Sequence, residues 1–108
     1  MSISTQTVLL DFYSDMCNPC KLLMNDLDDL TVELNGIEIK KLNIMDNYDL
    51  TEKYNIRSVP TLIVLKDDES HASYTGYKGK DDLKKFLAES LWYILIFDSS
   101  VVLLTDEY

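Results

Sequence analysis

The chain has 108 residues, 46% of them hydrophobic and 27% charged, with a formal net charge of −9. This is the length and balance of one soluble domain with a single core. The negative charge argues against direct, phosphate-driven binding to nucleic acid or to an anionic membrane, though not against a protein partner that itself binds DNA. Residues 1–7 hold neither a basic segment nor an apolar one, so no signal peptide is expected.

In chain order, residues 7–13 are short, apolar and interrupted by one acid, Asp11, which reads as a buried strand. Pro19 suits the first turn of a helix, where its missing N–H is not needed. Leu23, Leu27, Leu30 and Leu34 recur at helical spacing and predict one apolar stripe to about residue 34, with Asp26, Asp28, Asp29 and Glu33 outside. Asn35-Gly36 is the stop signal. Residues 37–44 predict a second strand with Ile37, Ile39 and Lys41 on one face. An acidic helix follows over residues 46–54, closed by Asn55. Residues 57–60 form a loop, residues 61–65 are the most strand-like of all, and Asp67-Asp68 is a turn. A weaker strand over 70–77 and an amphipathic helix over 80–91, with Leu83, Phe86, Leu87 and Leu91, complete the pattern. The order β-α-β-α-β-β-α predicts an α/β fold, a mixed sheet with helices on both faces. Residues 92–108 stand apart: two β-prone runs flank Asp98-Ser99-Ser100, and the apolar part is too short to span a membrane as a helix. The expected division is a domain over 1–91 and a β-prone extension over 92–108.

The only two cysteines lie in Cys17-Asn18-Pro19-Cys20. A strand that ends at Cys-x-x-Cys and becomes a helix sets the first sulfur at the helix's positive end, where orphan N–H groups and the macrodipole favour a thiolate. A thiol of pKa about 8.5 is only ~3% ionised at pH 7; lowering it by about 1.5 units makes it roughly half ionised. The chemistry indicated is dithiol–disulfide exchange, with Cys17 attacking and Cys20 resolving. A disulfide closing so small a ring constrains little unfolded chain, so a transient, working bond in a reducing cytoplasm fits better than a structural one. The competing reading is half of a zinc or iron–sulfur site. No second cysteine pair and a single histidine, His71, weigh against it within one chain, and a cluster shared by two chains stays open.

Other residues carry two readings each. Asp11 is a buried carboxyl with a raised pKa, able to move a proton near neutrality, or a strand-end acid in solvent. Lys41 alone reads as a surface lysine. Pro60 alone reads as trans, since only about 5–6% of X–Pro bonds are cis. Asn18 is turn chemistry or a tuner of the thiolate. Met16, Tyr13, Tyr54 and Tyr77 are docking or packing residues, with packing favoured for Tyr13.

Taken together, these motifs resemble the thioredoxin family. Residues 11–21 follow its active-site stretch, Lys41-Leu42-Asn43-Ile44 its next strand, residues 54–62 its cis-proline segment, and Gly76 with residues 83–87 its last strand and helix. The likeness covers residues 7–91. Asn18 stands where the family has glycine, and Met16 where it has tryptophan before the first cysteine. The resemblance implies that Asp11 helps deprotonate Cys20 and that Lys41 neighbours that acid. It also implies a cis Pro60 beside the sulfurs, leaving the Val59 backbone free to pair with an extended substrate. It implies a protein-disulfide reductase whose substrate lies against Met16, Asn18, Pro19, Val59, Pro60 and Gly76. An external thioredoxin reductase or similar donor would recharge it; no cofactor or metal is expected. The family's opening strand and helix have no counterpart here, which predicts an open edge beside residues 37–44. The apolar run at 92–97 is expected to cover it, in cis or in a weak dimer, its rival being a tail without a role. Two other functions stay open: a glutathione-dependent, glutaredoxin-like enzyme, and a thioredoxin-like binding subunit with dispensable cysteines.

Overall fold

A computed structural model describes residues 7–91 except positions 33 and 35. Its elements are β1 (Thr7–Tyr13), α1 (Asn18–Thr31), β2 (Ile37–Asn43), α2 (Tyr48–Lys53), β3 (Thr61–Lys66), β4 (Glu69–Thr75) and α3 (Lys80–Ser90). The expected order of elements is therefore the observed one. Among the described residues the four strands form one sheet in the order β2-β1-β3-β4. β1 pairs in parallel with β2 and antiparallel with β3, while β4 pairs antiparallel with β3.

β1 is apolar on both faces apart from Thr7 and Asp11 because both of its faces are covered. Leu9 faces a cluster with Leu62, Val64 and Tyr74 of the sheet and Leu23, Leu27, Leu83, Leu87 and Leu91 from the α1 and α3 side. Val8, Leu10 and Phe12 point the other way, packing with Ile63, Leu65, Leu42 and the α2-side residues Leu50, Tyr54 and Ile56. The α1 and α3 stripes share one face of the sheet, and short α2 closes the other.

Three boundaries differ from the sequence reading by two residues or more. α1 ends at Thr31 rather than near 34: the Thr31 hydroxyl donates to the Leu27 carbonyl at 2.7 Å, the i−4 back-bond that weakens a helix, and the Leu34 N–H reaches back to the Thr31 carbonyl at 2.9 Å. Leu34 stays buried although it has left the helix. Gly36 turns the chain at φ +81°, while position 35 lies outside the described residues. α2 starts at Tyr48, because the Asn47 amide donates to the Asn43 carbonyl at 2.8 Å and holds residues 44–47 as a turn. β4 stops at Thr75, since Gly76 adopts φ +82° and turns its N–H onto the Pro60 carbonyl. The extension at 92–108, with its expected edge-covering role, lies outside the described residues.

The hairpin between β3 and β4 turns on Asp67 and Asp68, both at positive φ, 53° and 70°. Paired positive φ values suit a two-residue hairpin, and glycine takes the second position without a Cβ penalty. Asp68→Gly should therefore raise the unfolding free energy by about 0.5–1 kcal/mol. The readout is a higher urea midpoint with an unchanged slope.

Candidate active site

β1 delivers the chain to Cys17, which caps α1 in an extended conformation, φ −110° and ψ 102°. Asn18 and Pro19 fill the first helical positions, both exposed. Cys17 and Cys20 are joined as a disulfide. The Cys20 N–H donates to Cys17 Sγ at 3.1 Å, so the first sulfur takes the place that a serine or aspartate oxygen fills at other helix starts. Cys17 is 9% exposed and Cys20 1%, the order expected of an attacking and a resolving sulfur. Beside them Met16 is 94% exposed.

The second wall of the site comes from β3. Phe12 pairs with Thr61, which puts Val59 and Pro60 at the end of the sheet where β1 runs into Cys17. The Val59–Pro60 peptide is cis, and the Pro60 carbonyl accepts the Gly76 N–H at 2.9 Å. Gly76 is thus a backbone anchor for the proline loop. Of the three tyrosines weighed as docking residues, Tyr54 packs its ring 6.3 Å from that of Phe12. Tyr77 is half-buried, its hydroxyl bonded to Asp26. Tyr13 is half-buried at the end of β1. Met16 alone of the four is fully presented to solvent.

Behind the helix start, Asp11 shares the α1-facing side of β1 with Leu9. It is completely buried, and neither carboxyl oxygen has a hydrogen-bond partner among the described residues. Burial pushes its pKa from 3.8 up to about 7; Lys41 opposes that shift and Asp28 adds to it. The solvent-exposed reading of Asp11 is thereby set aside. Lys41 stands opposite Asp11 in the β1–β2 register, yet its Nζ lies 3.1 Å from Asp28 Oδ2. Sequence reasoning left Asp28 on the outer side of α1 and missed this link. The available signal was its place eight residues after Cys20, little more than two turns along the same side of the helix. The three groups form a chain from solvent inward: Asp28, Lys41, Asp11.

A reactive disulfide on the first turn of a helix, fed by a central strand that hides an unpaired carboxyl, defines a thiol–disulfide oxidoreductase of the α/β class. The thioredoxin family model matches residues 1–89. The chain is 39% identical to the thioredoxin of Chlamydia caviae over 85 residues, which is 79% of this chain and 83% of that protein. It is also 39% identical to the thioredoxin of Buchnera aphidicola over 84 residues, 77% of this chain and 78% of the relative. A mutant thioredoxin from Halobacterium salinarum NRC-1 superposes with a TM-score of 0.69 at 30% identity, covering 79% of this chain and 74% of that one. The chain belongs to the thioredoxin family, whose members are protein-disulfide oxidoreductases. Among the described residues no helix is long and apolar enough to cross a membrane.

Two outcomes follow from the buried acid. A carboxyl whose folded pKa is raised from 3.8 to about 7 destabilises the fold as pH climbs through that window, because the unfolded chain ionises first. Asp11→Asn should match the parent's stability near pH 4 and exceed it at pH 8 by on the order of 4 kcal/mol, read by urea denaturation at both pH values. Asp28→Asn removes a negative charge and releases Lys41, so the Asp11 pKa should fall, whereas Lys41→Met should raise it. Carboxyl carbon NMR titration of the oxidised protein reads both shifts.

Proposed function

We propose that the protein reduces protein disulfides in a reducing cytoplasm through the Cys17–Cys20 dithiol. The observation that carries this is the Cys17 sulfur at the N-cap, accepting the Cys20 N–H at the positive end of α1. In the reduced protein this donor and the helix dipole stabilise a Cys17 thiolate. The thiolate attacks one sulfur of the substrate disulfide; the other sulfur leaves as a thiolate, and a mixed disulfide links substrate and Cys17. Cys20 then gives its proton to the Asp11 carboxylate and attacks Cys17 Sγ. The substrate's remaining sulfur departs as a thiolate, so two electrons have passed to the substrate and Cys17–Cys20 is a disulfide again. An Asp11 pKa of about 7 suits this transfer, since the acid is ready to take or return a proton near neutrality.

The substrate's extended segment lies against Met16, Asn18 and Pro19 on one side and Val59, Pro60 and Gly76 on the other, with Val59 offering backbone hydrogen bonds. Lys41 supports Asp11. An external dithiol donor, a thioredoxin reductase or similar enzyme, returns the protein to its reduced state.

The parent protein should catalyse dithiothreitol-driven reduction of insulin disulfides. Cys17→Ser should abolish turnover, and Cys20→Ser should accumulate a covalent mixed disulfide. Absent turnover in the parent, or turnover that survives in Cys17→Ser, would discard the reading. A strict glutathione requirement would move the protein to the glutaredoxin-like class.

A further inference from the structure

Among the described residues, the large apolar side chains left in solvent are not scattered evenly. Of Met16, Leu22, Val32, Met45 and Tyr48, three stand at the end of the sheet that carries the disulfide: Met16 at 94%, Met45 at 62% and Tyr48 at 68% exposure. β1 and β2 run parallel, so the loop entering α1 and the loop leaving β2 emerge side by side. Asn43 ties them together. Its Nδ2 donates to Asp15 Oδ1 at 3.0 Å, its Oδ1 accepts the Met45 N–H at 2.9 Å, and its carbonyl accepts the Asn47 amide at 2.8 Å. The Ile44 N–H adds a bond to the Tyr13 carbonyl at 2.9 Å. The two loops therefore present one continuous surface, beginning at Met16, the neighbour of the attacking sulfur.

Within the two loops its charge is of one sign, Lys21 and Lys53 standing just beyond them. Residues 11–20 and 42–52 contain no lysine or arginine, whereas Asp15, Asp46, Asp49 and Glu52 are all exposed. An open cleft of about 480 Å³ lies along residues 46–50, walled by Asp46, Asp49, Tyr48 and Leu50. An apolar patch rimmed by acids selects for an apolar segment that carries cations. Unbranched Met16 and Met45 can adapt to varied side chains, while the acids steer approach and reject acidic segments.

Building on the reductase reading, we propose that this Met16–Met45–Tyr48 surface is a substrate-specificity site for polypeptides whose target cysteine is flanked by mixed basic and apolar residues. The flanking segment runs from the mixed disulfide at Cys17 across the Asn43-linked loops toward the cleft at residues 46–50. This makes the β2 side a second arm of recognition, distinct from the Val59–Pro60 side.

The test has a binding arm that needs no redox chemistry. A short, cysteine-free peptide of mixed Lys and Leu, titrated into the oxidised full chain, should shift the amide resonances of Met16, Met45, Tyr48 and Leu50. The shifts should weaken as salt rises to about 0.5 M, and the Glu-for-Lys peptide should produce none. In the kinetic arm, a disulfide peptide with Lys and Leu flanks should be reduced about tenfold faster in kcat/KM than its Glu-flanked counterpart at low salt. Asp46→Asn with Asp49→Asn should bring that ratio close to one, and Met45→Ser with Tyr48→Ser should raise KM for the basic peptide. Equal shifts from both peptides, shifts confined to other surfaces, or an unchanged ratio in the aspartate variant would overturn the proposal. A parent without turnover would remove the reductase reading, and the binding arm would still decide whether the surface takes basic apolar segments.

Discussion

The site depends on one constraint, the burial of β1 from Thr7 to Phe12 between two hydrogen-bonded neighbours and two layers of side chains. Such a strand has no solvated face, so every residue on it must be apolar or carry a cost. Leu9, Leu10 and Phe12 satisfy the first condition; Asp11 carries the cost. The same rigidity that penalises the carboxyl also fixes where the strand ends. That end sets Cys17 at the helix cap, and the β1–β3 register puts Val59 and Pro60 beside it. An unpaired acid in a core is tolerated where its proton has work to do, and the structure concentrates its least stable group directly behind its chemistry.

Lys41 shows how this is moderated. A lysine facing the buried acid could have formed an ion pair and held Asp11 ionised. Its ammonium instead lies at the protein surface against Asp28, with both side chains well exposed. Exposed pairs contribute little to stability. What this one does is keep a positive charge near Asp11 without neutralising it, which leaves the acid poised between its two forms. Tuning is delegated to groups that water and salt can reach.

The fold was largely legible in the sequence because its elements are strongly patterned. The short apolar runs at 7–13, broken only by Asp11, and at 61–65 announced buried strands, and the leucine spacing after Pro19 announced a helix. Boundaries failed where a single polar contact decided them: the Thr31 hydroxyl shortened α1, and the Asn47 amide delayed α2. Such contacts have no periodicity and so leave no pattern. The site divides in the same way. Cys17, Cys20 and Asp11 were visible through spacing and context. Asp28 was not, because a helix acid set between Asp26 and Asp29 looks like any solvated face. Asn43 was hidden too: its two side-chain bonds join loops 28 residues apart in one direction and two in the other, and only the folded sheet brings them together.

The sheet also gives the molecule a front and a back. Thr61 opens β3 beside the disulfide, and Lys66 closes it at the Asp67-Asp68 hairpin, about 17 Å away at roughly 3.4 Å per strand residue. That hairpin is exposed and has no part in the cysteine, proline or methionine surfaces. It is a natural handle: a fluorophore, an affinity tag or a surface tether placed there would hold the protein by its back and leave the reactive end facing outward.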